Sequence, residues 1–319
     1  MSGWISWLED LTQGDSESVG RKCANLGELT RAGFQVPPGF ALCLGAYETF
    51  LEASGAGDEI KQYLAGFDAD PNEPKELQRF SEAAQAIRGI LEAKPMPGVI
   101  ADELAACYDR LCEKTGVEDV PVATRSAGPA SHPGQYESFL NVWGSNGVME
   151  NVIKVWSSTF NTRSLIARAR KELPLESDPI GVAVLTMVDA DAAGVMFTAE
   201  PTTADATRMI IEGSRGLGEI VVNGAVIPDN WTVDATQWTI VDRRTAPQAG
   251  AATDGRAVPA DTGCLTDDEV LAIAKIGKLV EKHFGKPQDI EWAIDRDSPV
   301  DPVFILQTRP ETFRIDFRF

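Results

Sequence analysis

Histidine is scarce in this chain, and no apolar run is long enough to span a membrane. His132 and His283 are the two histidines among 319 residues, which limits any chemistry that depends on imidazole. The five cysteines are odd in number and lack the spacing of metal ligands. We therefore expect no zinc site, no membrane contact and no disulfide framework, and we expect a cytoplasmic protein with reduced thiols.

Positive charge is also scarce. The chain has 29 Lys and Arg residues against 48 Asp and Glu residues, so its formal net charge is -19. This balance argues against nucleic acid or an anionic membrane surface as the main partner. It does not argue against ATP, because a local cluster of basic side chains can lie within an acidic protein.

Two common nucleotide-binding motifs are missing as well. No GxxxxGK[ST] sequence occurs, which excludes a P-loop. The glycine-rich stretch 213–219 has the order GxxGxG, which is not the dinucleotide fingerprint, so we do not expect NAD. A loop of small residues, 126–131, follows Arg125 and is itself followed by His132-Pro133-Gly134. Such a glycine-containing hairpin can close over phosphates with its backbone amides; an ordinary hairpin loop is the alternative.

Two alternating segments near the C-terminal end carry the clearest pattern. Residues 289–295 and 303–310 both alternate with period two, which predicts two strands joined by a turn. In one antiparallel register, apolar side chains oppose apolar ones and polar side chains oppose polar ones. The four pairs of that register are Trp292–Leu306, Ile294–Phe304, Glu291–Gln307 and Asp289–Arg309.

The polar face of this predicted hairpin brings together two carboxylates, an amide and a guanidinium. The oxygens of Glu291 and Gln307 suit a hard cation such as Mg²⁺. The guanidinium of Arg309 suits a phosphate. An exposed hairpin face with a cross-strand ion pair is the alternative interpretation.

The rest of the chain divides by composition at residues 173–179. We expect an α+β protein with a helix-rich N-terminal subdomain, 1–178, and a strand-rich C-terminal subdomain, 179–319. Thr266 and Glu269 have the spacing of a capping box, which predicts the start of a helix. Lys22 lies at a loop-to-helix junction, where unpaired backbone amides can bind an anion, although such a lysine is more often solvated.

Five stretches together resemble the ATP-binding domain of the pyruvate phosphate dikinase and phosphoenolpyruvate synthase family. They are VGRKCANLGEL at 19–29, RSAGPASHPGQYESFLNV at 125–142, GVMFTAEP at 194–201, GLGEIVVNGAVIPDNW at 216–231, and DIEWAID with ILQTRPET at 289–312. The resemblance covers nearly the whole chain and keeps the order of the motifs. It implies an ATP-grasp-type fold in which two subdomains clamp ATP.

The resemblance also implies roles for individual residues of an ATP-dependent phosphotransferase. The implied catalytic residues, which hold the ATP phosphates, are Lys22, Arg125 and Arg309. Gly134 and Ser138 would lie in a loop that covers the phosphates, Met187 and Val188 in a hinge strand against adenine, and Asp289 beside the metal site. The implied Mg²⁺ ligands are Glu291 and Gln307.

The chain departs from the family pattern in ways that bear on its partners. The family often has Asp-Thr where this chain has Glu137-Ser138, and Leu185 replaces a Gln of synthase-type members. No TSHAA-like motif with a phosphorylatable histidine occurs, and we interpret His132 as a loop residue. A histidine-bearing partner domain or subunit is therefore expected, as in phenylphosphate synthase.

The expected reaction passes a phosphoryl group through that histidine to a small acceptor such as pyruvate or phenol. In synthase-like members AMP and phosphate are the other products, while some stretches also resemble rifampin phosphotransferases. Two alternatives stay open from the sequence. One is a non-catalytic nucleotide sensor, and the other is an ATP-grasp ligase that forms an acyl phosphate.

Overall fold

The computed structural model of the chain shows two compact units, each built around its own sheet. It describes residues 3–128, 136–218, 224, 226–246 and 263–312. The first unit comprises Met1–Arg31 and Pro38–Met187, and the second comprises Ala32–Pro37 and Val188–Phe319. Both units combine helices with antiparallel strands, which confirms the predicted α+β class.

A five-stranded sheet forms the centre of the first unit. Its strands are β1 (Ile5–Trp7), β2 (Gly39–Leu42), β3 (Val122–Ala127), β4 (Ser138–Val142) and β5 (Gly181–Thr186). Their order across the sheet is β1-β2-β5-β3-β4, and every neighbouring pair is antiparallel. β5 is therefore the central strand, which explains why its sequence is a continuous apolar run.

The two units divide after Met187, whereas the sequence predicts a boundary between residues 178 and 179. The position of β5 explains this difference. The sequence predicts that the chain from residue 179 onward belongs to the C-terminal subdomain, but β5 pairs with β2 and β3 of the first sheet. Residues 32–37 belong to the second unit, where the carbonyl of Gln35 accepts a hydrogen bond from the Ile305 amide at 2.8 Å.

Helices cover one face of this sheet and form the main core. Alternate side chains of β2 and β5, such as Phe40, Val182 and Val184, are fully buried there. Each such side chain contributes about 1.5–3 kcal/mol of hydrophobic free energy. The helices of the unit are α1 (Ser16–Val19), α2 (Arg21–Arg31), α3 (Leu44–Ala53), α4 (Ala56–Leu64), α5 (Leu77–Glu92), α6 (Gly98–Thr115), α7 (Gly144–Ser157) and α8 (Thr162–Arg170).

The opposite face of the sheet carries small residues, and the chain around α1 approaches it closely. A Cβ atom on Gly181 of β5 would lie 2.5 Å from the carbonyl oxygen of Val19. Its neighbour on the same face, Ala183, is also small and buried. Small side chains on β5 are therefore required for α1 to pack against the sheet.

The start of α2 is attached to the end of β3. A Cβ atom on Gly20 would lie 1.9 Å from the carbonyl oxygen of Ala127. The next amide, that of Arg21, donates a hydrogen bond to the carbonyl of Gly128 at 3.1 Å. The first turn of α2, which contains Lys22, is therefore held against the backbone that follows β3.

The second unit contains a six-stranded antiparallel sheet and one long helix, α9 (Asp267–Phe284). Thr266 and Glu269 form the capping box that the sequence predicted. Gly277 allows α9 to pack closely on the sheet, because a Cβ atom there would lie 2.4 Å from the sulfur of Met196. In the order β11-β10-β6-β7-β8-β9, the strands are β6 (Ala192–Phe197), β7 (Arg208–Arg215), β8 (Asp229–Asp234), β9 (Thr239–Arg244), β10 (Gln288–Ile294) and β11 (Val303–Pro310).

A buried carboxylate in this unit joins two distant points of the chain. The side chain of Asp229, at the start of β8, is 1% exposed. Its two oxygens accept hydrogen bonds from the amides of Ala246, at 2.8 Å, and Cys264, at 2.7 Å. Asp229 therefore fixes both flanks of the stretch 247–262.

All five cysteines are free thiols. Burial raises the pKa of the Cys23 thiol to about 12, and it also raises the pKa of Cys264. Because the thiolate is the reactive form, we expect both thiols to be unreactive. Within the described ranges, no helix has the length and apolar character needed to cross a membrane.

We expect Gly20→Ala to lower the free energy of unfolding by roughly 3 kcal/mol. Gly20 has φ 82° and ψ 152°, a conformation that is almost restricted to glycine, and its new Cβ would overlap a backbone oxygen. Urea denaturation followed by circular dichroism measures the change.

Gly33→Ala is the matched control for that substitution. Gly33 also has a positive φ, 84°, but nothing lies within 4 Å of the position that a Cβ atom would take there. We expect a loss of only about 1–2 kcal/mol. Equal losses in the two variants would show that α2 does not depend on close contact with β3.

Candidate functional site

The hairpin expected near the C-terminal end is present, and its polar half has the predicted register. β10 pairs antiparallel with β11, with Asp289 opposite Arg309 and Glu291 opposite Gln307. Both polar pairs are therefore confirmed. Because β10 also pairs with β6 on its other side, hydrogen bonds hold this part of the strand from both edges.

The apolar half of the predicted register is wrong. The expected pairs were Trp292–Leu306 and Ile294–Phe304, whereas the observed pairs are Trp292–Ile305 and Ile294–Val303. The register shifts between Glu291 and Trp292, because a β-bulge leaves Leu306 as an extra residue on β11. A constant register assumes an unbroken ladder, and a bulge inserts one residue into one strand only.

The bulge changes which side chains of β11 are buried. Val303 and Ile305 are buried, whereas Phe304 and Leu306 are only half-buried. Gln307, just beyond the bulge, is 5% exposed and lies opposite the half-buried Glu291. The amide and the carboxylate therefore stay on one face although the apolar residues exchange faces.

An ion pair orients Arg309. Its Nε and Nη2 atoms both donate to Oδ2 of Asp289, at 2.7 and 2.5 Å. A guanidinium has five N–H donors, so these two bonds leave donors for an anion. Burial raises the pKa of Asp289, and the nearby Arg309 lowers it only in part. The pair therefore holds a cation at a defined position beside Glu291 and Gln307.

A buried polar network supports the beginning of β10. The amide of Gln288 donates to Oγ1 of Thr198 at 2.8 Å. Its side-chain oxygen accepts a hydrogen bond from the hydroxyl of Thr308 at 2.9 Å. These bonds connect β10 with β11 and with the residue after β6, so they fix the register next to Asp289.

A second group of predicted residues lies in the first unit. Lys22 is the second residue of α2 and is half-buried. Arg125 on β3 is also half-buried, and it lies between Ser138 of β4 and Ala183 of β5. At about 3.3 Å per residue, Arg125 lies roughly 10 Å along the strand from Gly128, which binds the start of α2.

Lys22, Arg125 and Ser138 therefore belong to one region of the first unit. The N-terminal turn of α2 adds backbone amides and the positive end of the helix dipole, both of which favour an anion. Ser138 is exposed, so its hydroxyl is accessible to a ligand. Gly134 and His132 lie outside the residues that the structure describes.

The predicted adenine contacts follow the central strand. Met187 and Val188 come directly after β5, are half-buried, and are the residues at which the chain passes from the first unit to the second. The amide of Met187 donates to the carbonyl of Pro121 at 2.8 Å. Leu185, which replaces the family's Gln, is buried in β5.

Two acidic side chains have properties that the sequence analysis does not predict. Glu137 forms a two-pronged ion pair with Arg88, which lies 49 residues earlier. Glu311 follows β11 and has a strongly shifted pKa. The pairing of Glu137 has no signal in the sequence, whereas Glu311 could have been found because it directly follows the strand that carries Gln307 and Arg309.

The donor set of the hairpin fits Mg²⁺ that arrives with a nucleotide. Among the described residues, no three His, Cys, Asp or Glu side chains form a metal site. Mg²⁺ is usually bound by one or two carboxylates together with substrate phosphates, and not by an all-protein cage. One carboxylate, Glu291, opposite one amide oxygen, Gln307, is the chemistry such an ion requires.

Glu311 should make the stability of the protein depend on pH. Burial is the main cause that raises the pKa of Glu311 to about 7; the neighbouring Asp289 and Glu281 act in the same direction, whereas the Ala199 amide and Lys278 act against it. The folded protein therefore binds this proton more tightly than the unfolded chain. The resulting stabilisation is complete below the unfolded pKa of about 4.3, and it is lost as the pH rises through 7.

We expect Glu311→Gln to remove this dependence, because an amide does not titrate. Relative to the original protein, the variant should gain stability between pH 5 and pH 8, as measured by thermal unfolding at each pH. Glu113→Gln, at an exposed position of α6, is the control and should show no such difference. A constant difference between Glu311→Gln and the original protein at both pH values would contradict the assignment.

Residues 16–316 match the family described as the pyruvate phosphate dikinase AMP/ATP-binding domain. The phosphoenolpyruvate synthase of Pyrococcus furiosus is 34% identical over 97% of this chain and 44% of its own length. Probable phosphoenolpyruvate synthases of Staphylothermus marinus and Methanothermobacter thermautotrophicus are both 37% identical, over 97% and 98% of this chain.

The match covers 41% and 46% of the lengths of the two probable synthases. The chain therefore spans less than half the length of each of the three relatives. The match includes every stretch on which the family resemblance rested. The chain belongs to the pyruvate phosphate dikinase AMP/ATP-binding domain family, whose fold is of the ATP-grasp type.

Proposed function

We propose that this chain binds Mg-ATP and supplies a phosphoryl group to a histidine on a partner domain or subunit. The observation that carries the proposal is the β10–β11 hairpin, where Glu291 lies opposite Gln307 and Asp289 opposite Arg309. A metal-binding pair next to an oriented guanidinium suits the phosphates of a metal-bound nucleotide. Membership of an AMP/ATP-binding family supports the same ligand.

Glu291 and Gln307 would hold the metal. Bound Mg²⁺ would neutralise charge on the phosphate oxygens. The chain's own contribution is orientation, because Gln307 is buried at the bulge and its partner strand is paired on both edges. A preorganised pair of oxygens loses little conformational entropy when the metal-bound nucleotide arrives.

Three cations would bind the phosphates in a protein whose net charge is -19. They are Lys22, Arg125 and Arg309, to which the family resemblance assigns the ATP phosphates. Phosphoryl transfer depends mainly on positioning and on charge neutralisation, so these side chains would act as catalytic residues. Ser138 would add a hydrogen bond to the same phosphates, and the family resemblance assigns Gly134 to the loop that covers them.

Met187 and Val188 would contact the adenine ring. The Met187 amide is already bonded to Pro121, so Met187 would contribute its carbonyl or side chain. Both residues are half-buried, so a planar base that contacts them would be partly shielded from water.

The nucleophile would be an imidazole nitrogen of the partner. It attacks phosphorus and forms an N–P bond, while the P–O bond to the departing nucleotide breaks and its electron pair stays on the nucleotide oxygen. The imidazole N–H proton passes to solvent. The relatives are more than twice as long as the aligned part, which leaves room for a histidine-bearing domain. Their name makes pyruvate the first acceptor to test, with phenol or a similar small molecule as the alternative.

We expect Arg309→Ala to weaken ATP binding by about 1.5–3 kcal/mol, because it removes a charge-assisted phosphate contact. Glu291→Gln should remove much of the dependence of ATP affinity on Mg²⁺ concentration. Isothermal titration calorimetry with ATP, at several Mg²⁺ concentrations, measures both effects.

Arg244→Ala is the matched control for Arg309→Ala. Arg244 lies in the same sheet, on β9, and also pairs with a carboxylate, that of Asp242 at 3.2 Å. Its removal should leave ATP affinity unchanged. Unchanged affinity in Arg309→Ala and Glu291→Gln as well would reject the proposed site.

The histidine partner is tested with ATP that carries radiolabel at the β or the γ position. With the chain and a histidine-bearing partner together, acid-labile and base-stable label should appear on the partner and vanish when its histidine is replaced. The position of the transferred label distinguishes AMP from ADP as the product. Stoichiometric labelling of this chain by itself would contradict the two-component reaction, and formation of an acyl phosphate would indicate a ligase.

A further inference from the structure

An ion pair lies directly beside the stretch that is expected to cover the phosphates. Glu137 immediately precedes β4, and its two carboxylate oxygens accept hydrogen bonds from Nη1 and Nη2 of Arg88 at 2.6 and 3.0 Å. This two-pronged geometry fixes both the position and the plane of the carboxylate. The next residue along the chain is Ser138, a proposed phosphate contact.

A second layer of bonds keeps Arg88 and Glu137 in place. Nε of Arg88 contacts Glu92 at 3.5 Å, and Glu92 in turn accepts a hydrogen bond from the hydroxyl of Ser157 at 2.6 Å. The amide of Glu137 donates to the hydroxyl of Ser158 at 3.1 Å. The ion pair is therefore part of a network that connects α5, the end of α7 and the beginning of β4.

The residue before Glu137 is anchored as well. The hydroxyl of Tyr136 donates a short hydrogen bond to the carboxylate of Asp178. At the other side of the stretch 129–135, the carbonyl of Gly128 accepts a hydrogen bond from Arg21. Both flanks of 129–135 are thus bonded to other parts of the first unit.

We propose that Arg88 is a positioning residue for phosphate binding. It holds Glu137, and through the backbone it places Ser138 against the β- and γ-phosphates of ATP. The inference rests on the proposed function, because it requires that this region contacts the nucleotide. Arg88 itself does not touch the ligand in this arrangement.

The solvent exposure of the Arg88–Glu137 ion pair determines how its removal should affect stability. The side chains of Arg88 and Glu137 are 29% and 41% exposed, so solvent screens their attraction and limits what the pair adds to stability. Loss of the pair should therefore leave the fold intact. Its effect should appear where position matters, in the affinity for the phosphates.

The experiment compares the affinities for ATP and for AMP, by calorimetry in the presence of Mg²⁺. Arg88→Ala should lower the affinity for ATP roughly three- to tenfold, the range expected for one displaced hydrogen-bonding segment. The affinity for AMP should not change, because AMP lacks the β- and γ-phosphates. A role in stability alone would lower the melting temperature and leave the ratio of the two affinities unchanged.

Two further variants test the geometry of the pair. Arg88→Lys keeps the charge but cannot bind both carboxylate oxygens in one plane, so it should recover only part of the ATP affinity. Glu137→Gln should resemble Arg88→Ala, and the double variant should be no weaker than either single variant, because all three lose the same interaction.

Arg79→Ala is the control. Arg79 lies on the same helix and binds two carboxylates, Asp68 at 2.6 Å and Glu76 at 3.1 Å, but neither of them adjoins β4. It should leave both affinities unchanged. If Arg309→Ala weakens ATP binding and Arg88→Ala does not, Arg88 has no positioning role and the proposed function stands. If the original chain does not bind ATP, both proposals are wrong.

Discussion

The burial of three alternate side chains on β10 is the constraint on which the candidate metal site depends. Ile290, Trp292 and Ile294 are fully buried, and β10 is paired with a neighbour on each side. A slip of one residue would turn these side chains to the other face and bury Asp289 and Glu291 in their place. The location of the carboxylates therefore follows from the packing of the apolar residues between them.

The polar pairs of the hairpin could be predicted because they lie on the regular side of the bulge. Glu291 and Gln307 obey simple alternation, and so do Asp289 and Arg309. On the N-terminal side of Leu306 the alternation of β11 predicts the wrong pairs, because the bulge shifts Phe304 away from Ile294, its expected partner. A bulge depends on how two particular strands fit against the rest of a sheet, and this information is not local to either strand.

The assignment of β5 to a sheet shows a related limit of prediction from sequence. Its composition indicates a buried central strand, which is correct, but composition does not say which of two sheets the strand enters. Its neighbours, β2 and β3, lie far away in the sequence. The same reason explains why the pairing of Glu137 with Arg88 could not be predicted, because two charged residues 49 positions apart meet only when α5 and β4 are folded side by side. The family resemblance supplied functional roles at both groups of residues, but not the contacts that hold them.

The Asp229 carboxylate has a consequence for how chain length can vary in this family. It ties Ala246 and Cys264 together through two short hydrogen bonds, so the separation of those two points does not depend on what lies between them. The entropic cost of lengthening a closed stretch of chain grows only slowly with its length. Residues can therefore be added or removed between 246 and 264 while β8 and α9 keep their places, which makes this position a natural point for insertions in relatives and for attaching a probe.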